Sequence, residues 1–250
     1  MKKLLFSLIV FGFLFPQSKT NAQVGTKTLV KFNLSGIAIK NYTLQFERVL
    51  TPHSSITLSA GVSPNAPLPF RQALLDQYAD NEDGKRAIET TLFTKYIGTI
   101  EYRFYFAGRA PSGWYIAPFA RYLNIDISQD YTYTPSDGIL HKARLNAKFD
   151  AYGGGILLGR QWMLGKHVGL DLWLLGPFIG TNIGAEFVGE DPLWRTLKPA
   201  DVVKLKSDIE GTQLPGYTTT ATLAFPLITA KLDGPYYGVR AFGLALSYGF

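Results

Sequence analysis

Along the final residues, RAFGLALSYGF (240–250), large and small side chains alternate without a break. Phe242, Leu244, Leu246, Tyr248 and Phe250 are large and apolar, while Ala241, Gly243, Ala245, Ser247 and Gly249 are small. A period of two marks an extended strand with two unlike faces. TKYIGTIEYRFYF repeats the pattern, with Tyr96, Ile100, Tyr102, Phe104 and Phe106 opposite Lys95, Thr99, Glu101, Arg103 and Tyr105. In NYTLQFERVL, Tyr42, Leu44, Phe46 and Leu50 oppose Thr43, Gln45 and Glu47. SSITLSAG sets Ile56, Leu58 and Ala60 against Ser55, Thr57, Ser59 and Gly61; VGLDLWLLG sets Val168, Leu170, Leu172 and Leu174 against Asp171 and Trp173. With the intervening turn residues, the pattern predicts about eight strands, near 28–37, 40–50, 54–62, 93–106, 114–125, 147–162, 167–180 and 237–250.

Alternation alone does not say which face is inside. A soluble half-buried sheet carries a dense Lys/Glu outer face and keeps its aromatics central. Here the polar faces are thin and mixed with small residues. Aromatics gather at strand ends instead: Tyr42, Tyr96, Phe104, Phe106, Trp114, Tyr115, Tyr122, Trp162, Tyr237, Tyr248 and Phe250. Two aromatic girdles at two water–lipid boundaries account for that placement. The connections at 51–53, 107–113 and 163–166 are short, and those at 63–92, 126–146 and 181–236 are long; only the first, near 37–40, breaks the alternation. The prediction is an all-β chain forming a closed antiparallel up-and-down transmembrane β-barrel of about eight strands. Short turns and both termini are periplasmic, and long extracellular loops carry short helices.

Composition agrees and adds a compartment. The 250 residues are 14% aromatic and 18% charged, with no cysteine, so disulfides, thiolate zinc sites and cysteine nucleophiles are excluded. Lys2 and Lys3, the apolar run Leu4–Phe15, and Thr20 and Ala22 at the small positions form a secretory signal over residues 1–22. This leaves 23–250 as a single barrel domain. Removing that segment takes away Lys2, Lys3 and Lys19 and no acid, so 25 basic residues fall to 22 against 19 acidic. With no basic cluster interleaved with aromatics, nucleic acid is not an expected partner.

The terminal Phe250, with Tyr248 two residues before it and apolar alternation behind it, resembles the assembly signal of Gram-negative outer-membrane barrels. KFNLSGIAIKNYTLQFERVL, IEYRFYF followed by GWYIAPFARY, GGILLGRQW, GLDLWLLGPFIG and GVRAFGLALSYGF are similar to a family of small Gram-negative outer-membrane β-barrels of unknown function. That family has the OmpA-type eight-stranded form without a periplasmic domain. The resemblance implies a fold and an outer-membrane address, with the barrel-assembly machinery, outer-membrane lipid and lipopolysaccharide as partners. It implies no activity.

A barrel this small is filled by its own side chains. Glu47, Glu101, Arg103, Arg121 and Asp171 face inward near the short-turn ends and are expected to pair in one layer, because isolated buried charges are too costly. Lys31, Lys95, Asp150 and Arg160 are further candidates for it. The alternative use of such a layer is an ion path or narrow pore. A lipid-acting rim enzyme would need His141 beside a nucleophile, and Asp137 and Ser136 are the neighbours in sequence. The expectation for His141 is a solvated loop. No catalytic residue, metal site or cofactor is assigned. The glycines of AYGGGILLG lack dinucleotide-loop spacing. In DQYADNEDGKRAIE, Ala79 and Thr90 fall where a calcium loop needs acids, so Asp80, Glu82 and Asp83 are expected to be a solvated turn. Phe70, Leu74 and Tyr78, and then Val202, Leu205 and Ile209 after Pro199, predict two short amphipathic helices, with the 217–232 segment covering them as a lid. The functional expectation is an envelope-structural or surface-interaction protein, not an enzyme. The alternative is an adhesin binding an unidentified extracellular ligand through loops 63–92 and 181–236.

Overall fold

The computed structural model describes residues 27–68, 71–78, 82–133, 136, 138–193, 197–211 and 217–250. The expected signal segment, and Phe70, Ala79, Asp80 and Asp137, lie outside them. The first seven strands are β1 (Thr28–Asn33), β2 (Tyr42–Thr51), β3 (Ser54–Pro67), β4 (Leu92–Arg109), β5 (Ser112–Tyr133), β6 (His141–Met163) and β7 (Val168–Glu190). Four shorter ones follow: β8 (Thr218–Ala224), β9 (Leu227–Asp233), β10 (Pro235–Arg240) and β11 (Gly243–Gly249). Helices α1 (Arg71–Tyr78), α2 (Glu82–Thr90) and α3 (Pro199–Glu210) sit in the connections, and none is long and apolar enough to cross a membrane.

Strands β1 to β7 pair in sequence order, all antiparallel, and β11 pairs with both β7 and β1. The result is a closed ring of eight strands. β10 lies on the same side of β7 as β11, opposite Gly176–Thr181, so 235–249 acts as one strand interrupted at Ala241–Phe242. The last residue is tied down: the Phe250 amide donates to the Thr28 carbonyl at 3.0 Å, and the Thr28 amide donates back at 3.3 Å.

The faces are inverted relative to a water-soluble domain. Outward positions are apolar and exposed on every ring strand, among them Phe32, Leu44, Leu58, Ile100, Ile116, Ile156, Ile179 and Leu246. The expected carboxyl-terminal series Phe242, Leu244, Leu246, Tyr248 and Phe250 belongs to this face, with Phe250 63% exposed. Inward positions are polar or small and buried, including Lys31, Gln45, Glu47, Ser55, Thr57, Glu101 and Arg103.

One end of the ring carries the short turns, as predicted. The β4–β5 turn depends on glycine: Gly108 and Gly113 have φ of +123° and +124°, and a Cβ on Gly113 would stand 1.9 Å from the Ala107 carbonyl oxygen. The other end differs from expectation. β5 and β6 continue as a hairpin to Tyr133 and from His141, where a long loop was expected over 126–146. This part alternates without being apolar, which a strand beyond the apolar band is free to do. β9 pairs with β7 at Glu186–Glu190 and β8 pairs with β9, so residues 218–233 extend the sheet outward without entering the ring. Residues 35–39, expected to close the first strand, form a 3₁₀ turn instead. The solvated acidic turn expected around residue 83 is helix α2; its single Gly84 and polar composition hide it, and contact with α1 and β5 supplies what propensity does not. Helix α3 covers β8, with Glu210 Oε1 accepting from the Ala221 amide at 3.0 Å.

Gly113→Ala is expected to lower stability by about 1–3 kcal/mol through backbone strain and the clash. Gly98→Ala, where a Cβ meets nothing within 4 Å, should change it by less than about 1 kcal/mol. The midpoints of urea unfolding in detergent, followed by tryptophan fluorescence, measure both.

Candidate functional site

Near the turn end, inward positions of β1, β2, β4, β6, β7 and β10 converge on one buried cluster. Strand alternation is the local cause: Lys31, Glu47, Glu101 and Arg103 each occupy the parity opposite an exposed apolar neighbour, Asp171 lies between the half-buried Leu170 and Leu172, and Gln161 lies between Arg160 and Trp162. Lys31 Nζ lies 2.6 Å from Glu47 Oε2, 2.6 Å from Asp171 Oδ2 and 2.8 Å from Gln161 Oε1. Arg103 donates to Glu101 Oε2 through Nη2 at 2.7 Å and Nε at 2.9 Å, and to Asp171 Oδ2 through Nη1 at 2.6 Å. Arg240 pairs with the other Glu101 oxygen. The Tyr105 hydroxyl donates to Glu47 at 2.7 Å and the Tyr115 hydroxyl to Asp171 at 2.8 Å.

Three cations, Lys31, Arg103 and Arg240, meet three carboxylates, Glu47, Glu101 and Asp171. The cluster is therefore neutral as a unit. The Arg103 guanidinium stacks 4.5 Å from the Tyr115 ring centroid and that of Arg240 lies 4.8 Å from Trp173. Tyr115, Phe119, Leu157 and Trp173 form a buried cluster packed across the same interior. Each carboxylate already accepts from at least one cation, an arrangement suited to holding strands together.

Of the five residues expected in one layer, Glu47, Glu101, Arg103 and Asp171 come together and Arg121 does not. Arg121 pairs in register with Thr99, one inward position beyond Glu101 toward the loop end. It makes a 3.3 Å bond to Thr99 Oγ1 and stacks on Phe119 and Phe178. Its strand carries it nine residues from Ser112, whereas Asp171 is three from Val168. Of the further candidates, Lys31 joins the cluster. Lys95 lies on the loop side, beside Ser63. Asp150 is on the outer face, bound by Tyr122 and Asn124, and Arg160 lies there between the rings of Trp114 and Trp162.

Sequence reasoning missed Gln161, Arg240 and the two tyrosine hydroxyls; Tyr115, expected in the aromatic girdle, is instead fully buried inside the ring. Counting back by twos from Phe250 puts Arg240 on the apolar face. The irregularity at Ala241–Phe242 reverses the parity and turns Arg240 inward, an effect typical of a bulge. Tyr105 was legible as inward, but its hydroxyl's role was not.

His141 also corrects the expectation. It is fully buried, with Nδ1 2.6 Å from Asp191 Oδ2, and ties the start of β6 to the segment after β7. Ser136 gives its hydroxyl to Asp201 at 2.6 Å. Asp191 is fifty residues away in sequence, which is why local reading could not find it.

A family model described as "Protein of unknown function (DUF3575)" matches residues 7–182, more than half of the chain. No curated protein and no solved structure matches.

Asp171→Asn leaves Lys31 and Arg103 facing a neutral amide inside the ring. It should destabilise by about 3–5 kcal/mol, the usual consequence of removing one partner from a buried ion pair. Asp233→Asn, on the exposed end of β9, should stay within about 0.5 kcal/mol in the same urea titration.

Proposed function

We propose that this chain, which belongs to the DUF3575 family of proteins of unknown function, is a non-enzymatic outer-membrane β-barrel with a plugged interior. Its role is in the envelope surface: it anchors a structured protrusion that stabilises the envelope or meets partners outside the cell. The observation that carries this reading is the inverted distribution of side chains, apolar all round the outside and polar and charged within. In water that outer face would be a large exposed apolar patch, whereas in hydrocarbon it is the favourable surface.

The dimensions support the same reading. Tyr42, Tyr96, Tyr122, Tyr152 and Tyr237 stand outward on ring strands near the loop end, and Tyr96 and Tyr122 lie on paired strands close in register. Trp114, Trp162, Phe106 and Tyr248 stand near the turn end. From Tyr96 to Phe106 is ten residues of one strand, or roughly 33 Å at about 3.3 Å per residue. Tilted by about 40°, that spans roughly 25 Å, the height of an outer-membrane apolar band. Asp150 and Lys148 on β6 then fall beyond the tyrosines, in the headgroup region. The turn end and both termini are periplasmic in this orientation, and the terminal Phe250 series is offered to the assembly machinery. Lipid and lipopolysaccharide are the surrounding partners.

Strands β5, β6 and β7 continue about ten residues past the tyrosine level, and β8, β9 and α3 build on them. A folded protrusion of this size favours surface interaction over a purely structural role. An interior closed at the turn end by ion pairs disfavours a pore, and the burial of His141 against Asp191 disfavours rim catalysis.

The purified mature protein should remain compact on a detergent gel until boiled, and should give no discrete conductance steps in a planar bilayer. Identical migration in boiled and unboiled lanes, or solubility without detergent, would sink the membrane reading; regular steps would sink the plug. Replacing 197–211 with a Gly-Ser linker should leave compact migration intact and abolish attachment of expressing cells to their target surface, and intact attachment would remove the protrusion from the function.

A further inference from the structure

The interior is not uniform. The turn half is neutral by pairing, but the half toward the loops holds two more inward cations, Lys95 and Arg121. Neither forms an ion pair with any carboxylate among the described residues. Arg121 is attracted by Glu101, but Glu101 is already held by Arg103 and Arg240, and Arg240 repels Arg121. Lys95 and Arg121 also repel each other. Two uncompensated cations inside a closed ring are unfavourable unless something else answers them.

The wall beside them is polar and unsatisfied. Gln45, Ser59, Thr99 and Arg121 pair in register across β2, β3, β4 and β5, forming one inward row. Gln45 is 1% exposed, yet neither its Oε1 nor its Nε2 has a hydrogen-bond partner among the described residues. Ser63, fully buried and opposite Lys95, has a hydroxyl without a partner among the described residues. Arg121 uses Nε on Thr99 and forms no ion pair through its terminal nitrogens among the described residues. Buried polar side chains are almost always satisfied. Thr57, Gln161 and Ser247 in the turn half also carry an unpartnered atom, but only here do such atoms lie beside cations without an ion pair among the described residues, and that combination marks a place for an anionic guest. The facing wall is aromatic: Phe119, Phe178, Tyr236 and Phe149 form a continuous series with centroid separations of 6.3, 4.9 and 5.9 Å. Lys95, Arg121 and Tyr236 are half-buried, so this half of the interior is reached from the loop end, while the ion-paired cluster closes it below.

We propose that the loop half of the ring interior binds a small organic anion. Its charged end is taken by Arg121 and Lys95, with Gln45 and Ser63 as neutral hydrogen-bonding partners. Its flat apolar end lies against Phe178 and Tyr236. Guanidinium suits this role because its fork matches a carboxylate, and the stacked Phe119 and Phe178 rings hold it in plane. The inference rests on the ring interior and goes beyond the envelope role; it does not depend on what surrounds the ring.

Benzoate is the probe, titrated calorimetrically at low salt into the full-length mature protein in detergent, with the isosteric neutral benzamide and inorganic phosphate alongside. Benzoate should bind saturably, benzamide should not, and phosphate should bind at least about tenfold more weakly than benzoate. Arg121→Gln should weaken benzoate by about tenfold or more, the loss of one charge-assisted contact. Lys95→Gln, at the mouth, is the second variant and should also weaken it. Arg48→Gln, on the outer face, should leave it unchanged. Each variant is compared only after it migrates as the compact species. Absence of saturable benzoate binding, equal binding of benzamide or of phosphate, or unchanged affinity in both interior variants overturns the proposal. A protein that proves soluble without detergent is titrated in buffer, so failure of the membrane reading is seen separately.

Discussion

Strand β11 takes its backbone hydrogen bonds from two directions, from β1 at the start of the chain and from β7 in its second half. That double pairing converts a meander into a ring and removes the two free edges an open sheet would expose. It also defines an inside. Without it, Lys31 on β1 could not meet Asp171 on β7, 140 residues away, and the buried cluster would have no walls. The order of dependence runs from closure to interior, and from interior to the apolar exterior.

Closure then imposes a charge constraint. A narrow interior admits few waters, so each ionised group needs an opposite partner close by. The turn half satisfies this with three cations against three carboxylates and tyrosine hydroxyls on the remaining lone pairs. The loop half does not satisfy it from within the chain. Two halves of one interior, made by the same strands, thus differ in charge: the first pairs its cations with carboxylates, the second holds Lys95 and Arg121 with no ion pair among the described residues. An interior closed by ion pairs at one end and cationic at the other behaves as a closed cup.

Outside the ring, the strands that build the protrusion are extensions of strands that build the wall. β5, β6 and β7 carry the sheet past the tyrosine level, and the β8–β9 hairpin adds to it only where β7 has already left the ring. The protrusion is therefore held by continuous backbone pairing, and the His141–Asp191 contact ties its base. A surface built this way presents its loops in a definite arrangement, as recognition requires.

Much of this was legible in the chain alone, because side-chain direction in a strand is a local property. A period of two assigns Glu47, Glu101, Arg103 and Asp171 to one face and Leu44, Ile100, Phe104 and Leu172 to the other, with no knowledge of neighbours. The eight ring strands, the short turns and the α3 helix follow from equally local signals, whereas β8 and β9 were expected as loop. What the tertiary structure alone decided was depth and partnership. Arg121 has the right parity, but its height is set by where its strand begins, which places it above the cluster it was expected to join. Arg240 was hidden by a two-residue irregularity that reverses parity and leaves no mark in composition. His141 looked like a loop residue because its partner, Asp191, is brought to it only when β6 and β7 pair. Direction is written residue by residue; distance between strands exists only once the ring has closed.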